Sequence, residues 1–461
     1  MQVSPDSDAS ELGSETTAEL LAYARADFSR FDEVTPAAAR VAFDTLAAMA
    51  AAEPTVTTAM ERQRAGTLDR TALLAQAVNA DDRDDLHWPS LTHPGSVVWP
   101  AFLGASSPTT SLETPLDAGR LGYQVTVGVA ALLGPRHRQA FHVTTTAATL
   151  GTTTAAGVVL ALDDAALGRA VRHAASMLGG TSRAVREGEG SATGTFHRVV
   201  AALTVAAAAE GNDLAPAVTR PLDDQAGFAD ATGLPLSEIE PDIDVAVTAT
   251  TIRRHLVCGF AHTLVDAILE LPQLDPSTVT RVEARVPELA LAATEPPARE
   301  PPERPRWHLP HAAASALIGP NARVTALPVE DQGARALRRR IDIVFRPAAT
   351  DDLHVDLRIE LRGSDPLTVT RHYPVGHPAC PLDDEALLPK AGQRGLSAAG
   401  PLCSPIRRTR DGDRHGGRAA SGWTRTRFQT HRALRMRWRR TECCSRWCAL
   451  TLHRGLRYSP R

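Results

Sequence analysis

Between Asn79 and Pro100 the chain reads NADDRDDLHWPSLTHPGSVVWP. Four aspartates (Asp81, Asp82, Asp84, Asp85) and two imidazoles (His87, His93) share this short stretch, and Pro89 and Pro94 interrupt any regular backbone there. An apolar run, Val97 to Phe102, follows at once. Carboxylates and imidazoles exchange protons near neutral pH or hold metals, and irregular backbone beside a helix start can turn several of them onto one point. The same composition also suits a solvated acidic loop that caps a helix. The rest of the chain has to decide.

Composition removes several chemistries. Among 461 residues the only lysine is Lys390. The body of the chain therefore has no Schiff-base, pyridoxal-phosphate or P-loop lysine. No Cys or His pair has structural-zinc spacing, and Gly188, Gly190 and Gly194 follow no strand, so they make no phosphate fingerprint. A serine nucleophile elbow is absent as well.

The length allows two or three domains with large cores. Hydrophobic residues make up 43% and aromatics 4%, with Ala, Leu and Arg abundant, which favours a mainly helical protein. No apolar run reaches the length of a membrane span, and the acidic start is unlike a signal peptide, so a cytoplasmic protein is expected.

Charge divides the chain in two. From Gly392 onward there are 17 Arg and 3 acidic residues, a balance of +14; subtracting these from totals of 50 and 53 leaves 33 and 50, a balance of −17. Cys403, Cys443, Cys444 and Cys448 lie in this tail, as do Trp423, Trp438 and Trp447. It has no sustained apolar periodicity. Its charge and tryptophans would suit a nucleic-acid-binding arm. Out-of-frame translation of a GC-rich gene would give the same composition, and that reading is preferred, with nucleic acid not expected as a partner.

Between these ends the pattern is helical, then mixed. Residues 1–16 are polar and expected to be disordered. Helices are expected over Thr17–Ala26, from Thr35 as N-cap through Ala52, and over Arg70–Val78. Further helices are expected over Leu121–Leu133, closed by Gly134-Pro135, then after His142, over Asp164–Leu178, His197–Glu210 and Thr251–Leu271. Past Pro272 the period changes to two: Val282, Ala284 and Val286 alternate with charged residues. A short helix is expected at Leu309–Ile318, then strands in IDIVFRP, HVDLRIELRG and LTVTRHYP, the last two as a hairpin around Gly363–Pro366. VGHPACPLDDEALLPK reads as the start of another helix.

Seven segments in order then point one way: HPGSVVWP, GRLGYQVTVGVAALLGPRHRQAFH, the Thr/Gly-rich helix after it, LALDDAALGRAVRHAASMLGG, CGFAHTLVDAILEL, VTRVEARVP and HYPVGHPACPLDDEAL. Together they resemble the MmgE/PrpD family over roughly residues 17 to 390. That family includes 2-methylcitrate dehydratase, cis-aconitate decarboxylase and related carboxylate isomerases. The resemblance implies a mainly α protein: a large all-helical domain (17–271), a smaller α+β lid domain (272–390) and an aberrant basic tail (391–461). It also implies a homodimer and acid/base lyase or isomerase chemistry on a small di- or tricarboxylate, with neither metal nor organic cofactor.

Site residues carry over unevenly. The family's acidic motif falls on Asp82, Asp84 and Asp85, its His-Pro on His93-Pro94, and its next histidine on His142. Its loop lysine falls near Gly194, with its histidine on His197; its second lysine falls on Arg253 and its lid tyrosine on His311. Asp82, His93 and His142 are thus the expected proton-transfer groups, with Asp85, His197, Arg253 and His311 around the substrate. Arg183 and Arg186 could clamp a carboxylate bidentately, or simply face solvent. Arginine keeps its proton, so a lysine-to-arginine change preserves binding better than acid catalysis. The alternative is a degenerate relative that keeps the fold and binds an anion.

Overall fold

The computed structural model describes residues 37–49, 67–80, 82, 84–106, 114–183, 190–211, 221–222, 226–234, 236, 246–319, 324–349, 352–383 and 387. Residues 1–16, the expected Thr17–Ala26 helix, Arg186 and the basic tail lie outside them.

The first region is helical. Helices cover 37–49, Thr67–Ala80, Gly95–Ala105, Thr114–Ala140, Val143–Val159, Asp164–Ala175 and Gly190–Ala209. One core joins Leu121, Val125 and Leu132 of the Thr114–Ala140 helix to Leu150 of the next and to Leu167 and Val171 beyond it. These apolar residues recur at three-to-four-residue spacing, so each helix turns one face inward; each fully buried leucine contributes roughly 1.5–3 kcal/mol. Gly134 leaves the helix (φ 69°), and a second helical piece continues past Pro135 to Ala140.

Val143–Val159 is rich in threonine, whose branched Cβ lowers helix propensity. It stays helical because nearly its whole length is buried among neighbouring helices, and its hydroxyls turn back onto carbonyls one turn earlier. Thr149 donates to Thr145 O at 2.5 Å, Thr153 to Thr149 O at 2.8 Å and Thr154 to Leu150 O at 2.9 Å. These donors are thereby satisfied inside the core.

One expected helix is much shorter than the sequence reading. Instead of running from Thr251, it covers only His262–Leu269, after a 3-10 turn at Gly259–Ala261. Thr250–Thr251 is a short strand, β2, antiparallel to β1 at Leu86–His87. The reason is a pairing between segments more than 160 residues apart, which local propensity does not register.

The smaller region is mixed. β3 (Val279–Pro287) lies between β4 (Ile341–Arg346), parallel to it, and β5 (Val355–Leu361), antiparallel; β6 (Leu367–Arg371) pairs with β5. Val282, Ala284 and Val286 are buried, as their alternation requires. The β5–β6 hairpin turns at Gly363, whose φ of 75° a side chain would strain. The parallel pair needs a crossover, which contains the Leu309–Ile318 and Gln332–Arg338 helices. Leu264, Val265 and Ile268 bury with this sheet, so its core reaches upstream of Pro272. The residues from His372 to Asp383 form turns; the expected helix, capped near Asp383 or Asp384, falls mostly outside the described residues, of which Leu387 is helical. Among the described residues no helix is long and apolar enough to cross a membrane.

Candidate active site

The β1–β2 pairing sets Leu86 opposite Thr251, which brings Arg253 beside the aspartates preceding β1. Arg253 is buried and its guanidinium spans two of them. Its Nε donates to Asp84 O at 2.5 Å and its Nη1 to Asp82 Oδ1 at 2.9 Å, while Nη2 pairs with the Asp84 carboxylate. Asn79 donates to the other Asp84 oxygen at 2.8 Å, and Trp307 Nε1 to Asp82 Oδ2 at 3.3 Å. Asp82 holds a left-handed backbone (φ 54°) just past the Thr67–Ala80 helix. Such a conformation costs a non-glycine residue about 1 kcal/mol, and here the two partners of its carboxylate hold it in place.

His93 is oriented by the same segment. Its Nδ1–H donates to the main-chain oxygen of Asp85 at 2.7 Å, and the Asp84 carboxylate lies 3.3 Å from that nitrogen. A carbonyl only accepts, so in the neutral ring the proton sits on Nδ1 and Nε2 carries the lone pair. The side chain is 18% exposed, whereas Asp84 is fully buried. Burial pulls the His93 pKa below 6.5, against the raising effects of its Asp85 bond and of the Asp85 and Asp82 charges.

Two more imidazoles stand behind. The rings of His93 and His197 are 6.4 Å apart, and those of His142 and His197 5.7 Å. Ser96 Oγ donates to His93 O at 2.8 Å, so it accepts from His197 Nδ1–H, also at 2.8 Å. Burial takes His142 down to about 3 and His197 well below its usual range. Both are neutral near pH 7. His142 also occupies the N-terminal end of the Val143–Val159 helix, where the helix dipole favours an anion and disfavours an imidazolium.

Asp82, His93, His142 and Arg253 line one cavity of about 470 Å³. Much of the remaining wall is apolar, including Leu86, Leu91, Phe141, Val143, Phe260 and Leu289. Cys258 is also there; burial pushes its thiol up to about 12, so it is not a nucleophile near pH 7. Among the described residues no group of three or more His, Cys, Asp or Glu is arranged to hold a metal.

Other expected residues lie elsewhere. Asp85 does not line the cavity: Gly95 N–H donates to its Oδ1 at 3.0 Å and Tyr123 OH bonds its Oδ2. Burial raises Asp85 to about 6. His311 is buried in the smaller region, with Nε2 donating to Leu327 O at 2.8 Å and Nδ1 accepting from Arg338 at 3.0 Å. Trp307, four residues earlier on a 3-10 turn, is the aromatic residue of this segment that lines the cavity. Arg183 is exposed and outside the lining, although Ser182 belongs to it. Arg254, next to Arg253, turns to Asp266 at 3.5 Å. Sequence reasoning passed over Arg138, which follows the Gly134 break and lines the cavity. A basic residue in a short helical piece four positions before His142 was the available signal.

Two family models match the chain: the MmgE/PrpD N-terminal domain over residues 29–235 and the MmgE/PrpD C-terminal domain over residues 255–394. No curated protein matches it. The chain belongs to the MmgE/PrpD family.

Proposed function

We propose that this MmgE/PrpD chain, whose family is typically one of hydro-lyases, is a dehydratase-type lyase acting on a small carboxylate through His93. The observation that carries the reading is the neutral His93 ring, pinned by Nδ1–H so that Nε2 is its basic nitrogen, at the wall of a largely apolar cavity. Nε2 takes the proton from the carbon beside the substrate carboxylate. The electron pair of that C–H bond becomes the C=C bond as the C–O bond to the neighbouring carbon breaks. The departing hydroxyl takes the proton back from the imidazolium and leaves as water. Asp84 and the Asp85 carbonyl stabilise the transient imidazolium, a contribution of general-base type. The apolar wall keeps bulk water from competing for the proton.

Arg253 organises this machinery rather than gripping substrate, because Asp82 and Asp84 already engage it. That pairing favours the second reading, an inactive anion binder, since the chain also lacks both family lysines. Supplying the purified protein with 2-methylcitrate, citrate and cis-aconitate, and with 3-hydroxy-4-methylpentanoate as a monocarboxylate, and following unsaturated product by absorbance and solvent deuterium uptake by mass spectrometry, separates the two. Turnover or deuterium uptake that His93→Ala abolishes supports the enzyme; a folded protein that does neither supports the binder.

A further inference from the structure

The charges of the cavity are unevenly committed. Its lining holds two guanidinium groups and one carboxylate, with a second carboxylate, Asp84, directly behind. Arg253 is spent on Asp82 and Asp84. Arg138 is different: among the described residues it forms no hydrogen bond or ion pair, and burial already lowers its pKa. It ends one helix just before His142 begins the next, so a free cation and the anion-favouring end of the Val143–Val159 helix face the same space. Both lining histidines, His93 and His142, are neutral near pH 7 because burial lowers their pKa values.

We infer that Arg138 is the substrate's carboxylate clamp and that the cavity takes a small monocarboxylate with an aliphatic body, not a tricarboxylate. The inference rests on this cavity being the substrate site. One carboxylate matches the one uncommitted cation among the described lining residues, and a planar guanidinium meets it with two parallel hydrogen bonds. A tricarboxylate would bring two further charges with no partner among the described lining residues, and unpaired buried charge is strongly unfavourable. The apolar wall, including Leu86, Phe141, Phe260 and Leu289, suits a hydrocarbon chain instead.

Isothermal titration calorimetry on the full chain tests this with 3-hydroxy-4-methylpentanoate, 4-methylpentanoate and citrate as probes. The wild type is expected to bind both monocarboxylates more tightly than citrate. Arg138→Gln should weaken them about tenfold or more at unchanged thermal stability, and Arg138→Lys by less, since a lysine keeps charge without the fork. Ala293→Trp, which fills the cavity, should abolish binding. Tighter binding of citrate, no binding of either monocarboxylate, or equal affinities in wild type and Arg138→Gln overturns the inference. Where Ala293→Trp abolishes binding and Arg138→Gln leaves the affinity unchanged, the clamp is overturned while the cavity remains the ligand's site. Where Ala293→Trp leaves binding intact, the ligand sits elsewhere and the proposed active site falls with it.

Discussion

The Nδ1–H of His93 is held by the main-chain oxygen of Asp85 at 2.7 Å, and this contact selects the nitrogen available for chemistry. Asparagine tests that assignment, because its side-chain amide can replace the Nδ1–H donor but offers no basic nitrogen. His93→Asn and His93→Ala are both expected to lower turnover by roughly 10²–10⁴-fold, the usual scale of a lost general base. His93→Asn should also keep the melting temperature of the wild type. A His93→Asn protein that turns over at full rate would move the chemistry elsewhere.

The buried histidines make the fold acid-sensitive. His87 is drawn down to about 4 and His142 to about 3, both by burial. The unfolded chain accepts protons below about pH 6.5 that these folded sites refuse. Their contribution to stability is therefore complete above pH 6.5 and is lost as the pH falls towards the folded values, at up to about 1.4 kcal/mol per histidine per pH unit. Asp85, raised to about 6, acts with the opposite sign between its ordinary value and 6, but it is one group against the several buried histidines. Circular dichroism melts at pH 7.5 and 5.5 should show a clear fall in melting temperature. Equal melts would mean that these rings are not kept neutral.

Arg253 should be more important to stability than an exposed arginine. Removing it leaves Asp84, fully buried, beside Asp82 with no guanidinium between them. Breaking a buried ion pair by deleting one partner typically costs about 3–5 kcal/mol. Arg253→Gln is expected to approach that loss in urea denaturation. Arg253→Gln with Asp82→Asn and Asp84→Asn should recover part of it, because no uncompensated carboxylate remains. A single variant as stable as the wild type would remove the organising role given to Arg253.

Much of the fold was legible because its signals are local. The alternation of Val282, Ala284 and Val286 marks a half-buried strand in any context, and Gly363 marks the hairpin turn. The limits of Thr250–Thr251 were not legible, since its partner lies at Leu86–His87 and nothing within a local window signals the pairing. The site shows the same division. Asp82, His93, His142 and Arg253 were named from a resemblance between ordered motifs, and they meet at one cavity. His311 was named at the position of the family's lid tyrosine, whereas Trp307, on the 3-10 turn before that helix, lines the cavity. Arg138 was missed because an exposed arginine and a cavity-facing one look alike in sequence.

At Gly151 the volume of the helical core is fixed by backbone. A Cβ on Gly151 would lie 2.3 Å from Gly122 O and 2.1 Å from Thr126 Oγ1, so the Thr114–Ala140 and Val143–Val159 helices meet there without room for a methyl group. Gly151→Ala gains about 1 kcal/mol in helix propensity but forces the helices apart, and overpacking of this kind typically costs about 1–3 kcal/mol. A net loss of stability is expected. Gly179→Ala is the control, since nothing stands within 4 Å of its added Cβ. A stabilised Gly151→Ala protein would show that the two helices separate easily.

Residues 398–461 lie outside the described structure. The C-terminal family match stops at residue 394, next to the point at which the charge balance turns to 17 arginines against 3 acids. A family domain ending where composition reverses is what a shifted reading frame produces. Residues acquired that way were never selected to complete a core. Deleting 398–461 should therefore leave turnover and melting temperature unchanged, within the roughly 0.5 kcal/mol typical of surface changes. The coding sequence around codon 390 should contain, in another frame, an apolar pattern of helical period, and restoring that frame should raise the melting temperature. Unfolding of the truncated protein would count against this. So would tight DNA binding by the full chain that falls steeply with added salt, because a basic arm with a function behaves that way.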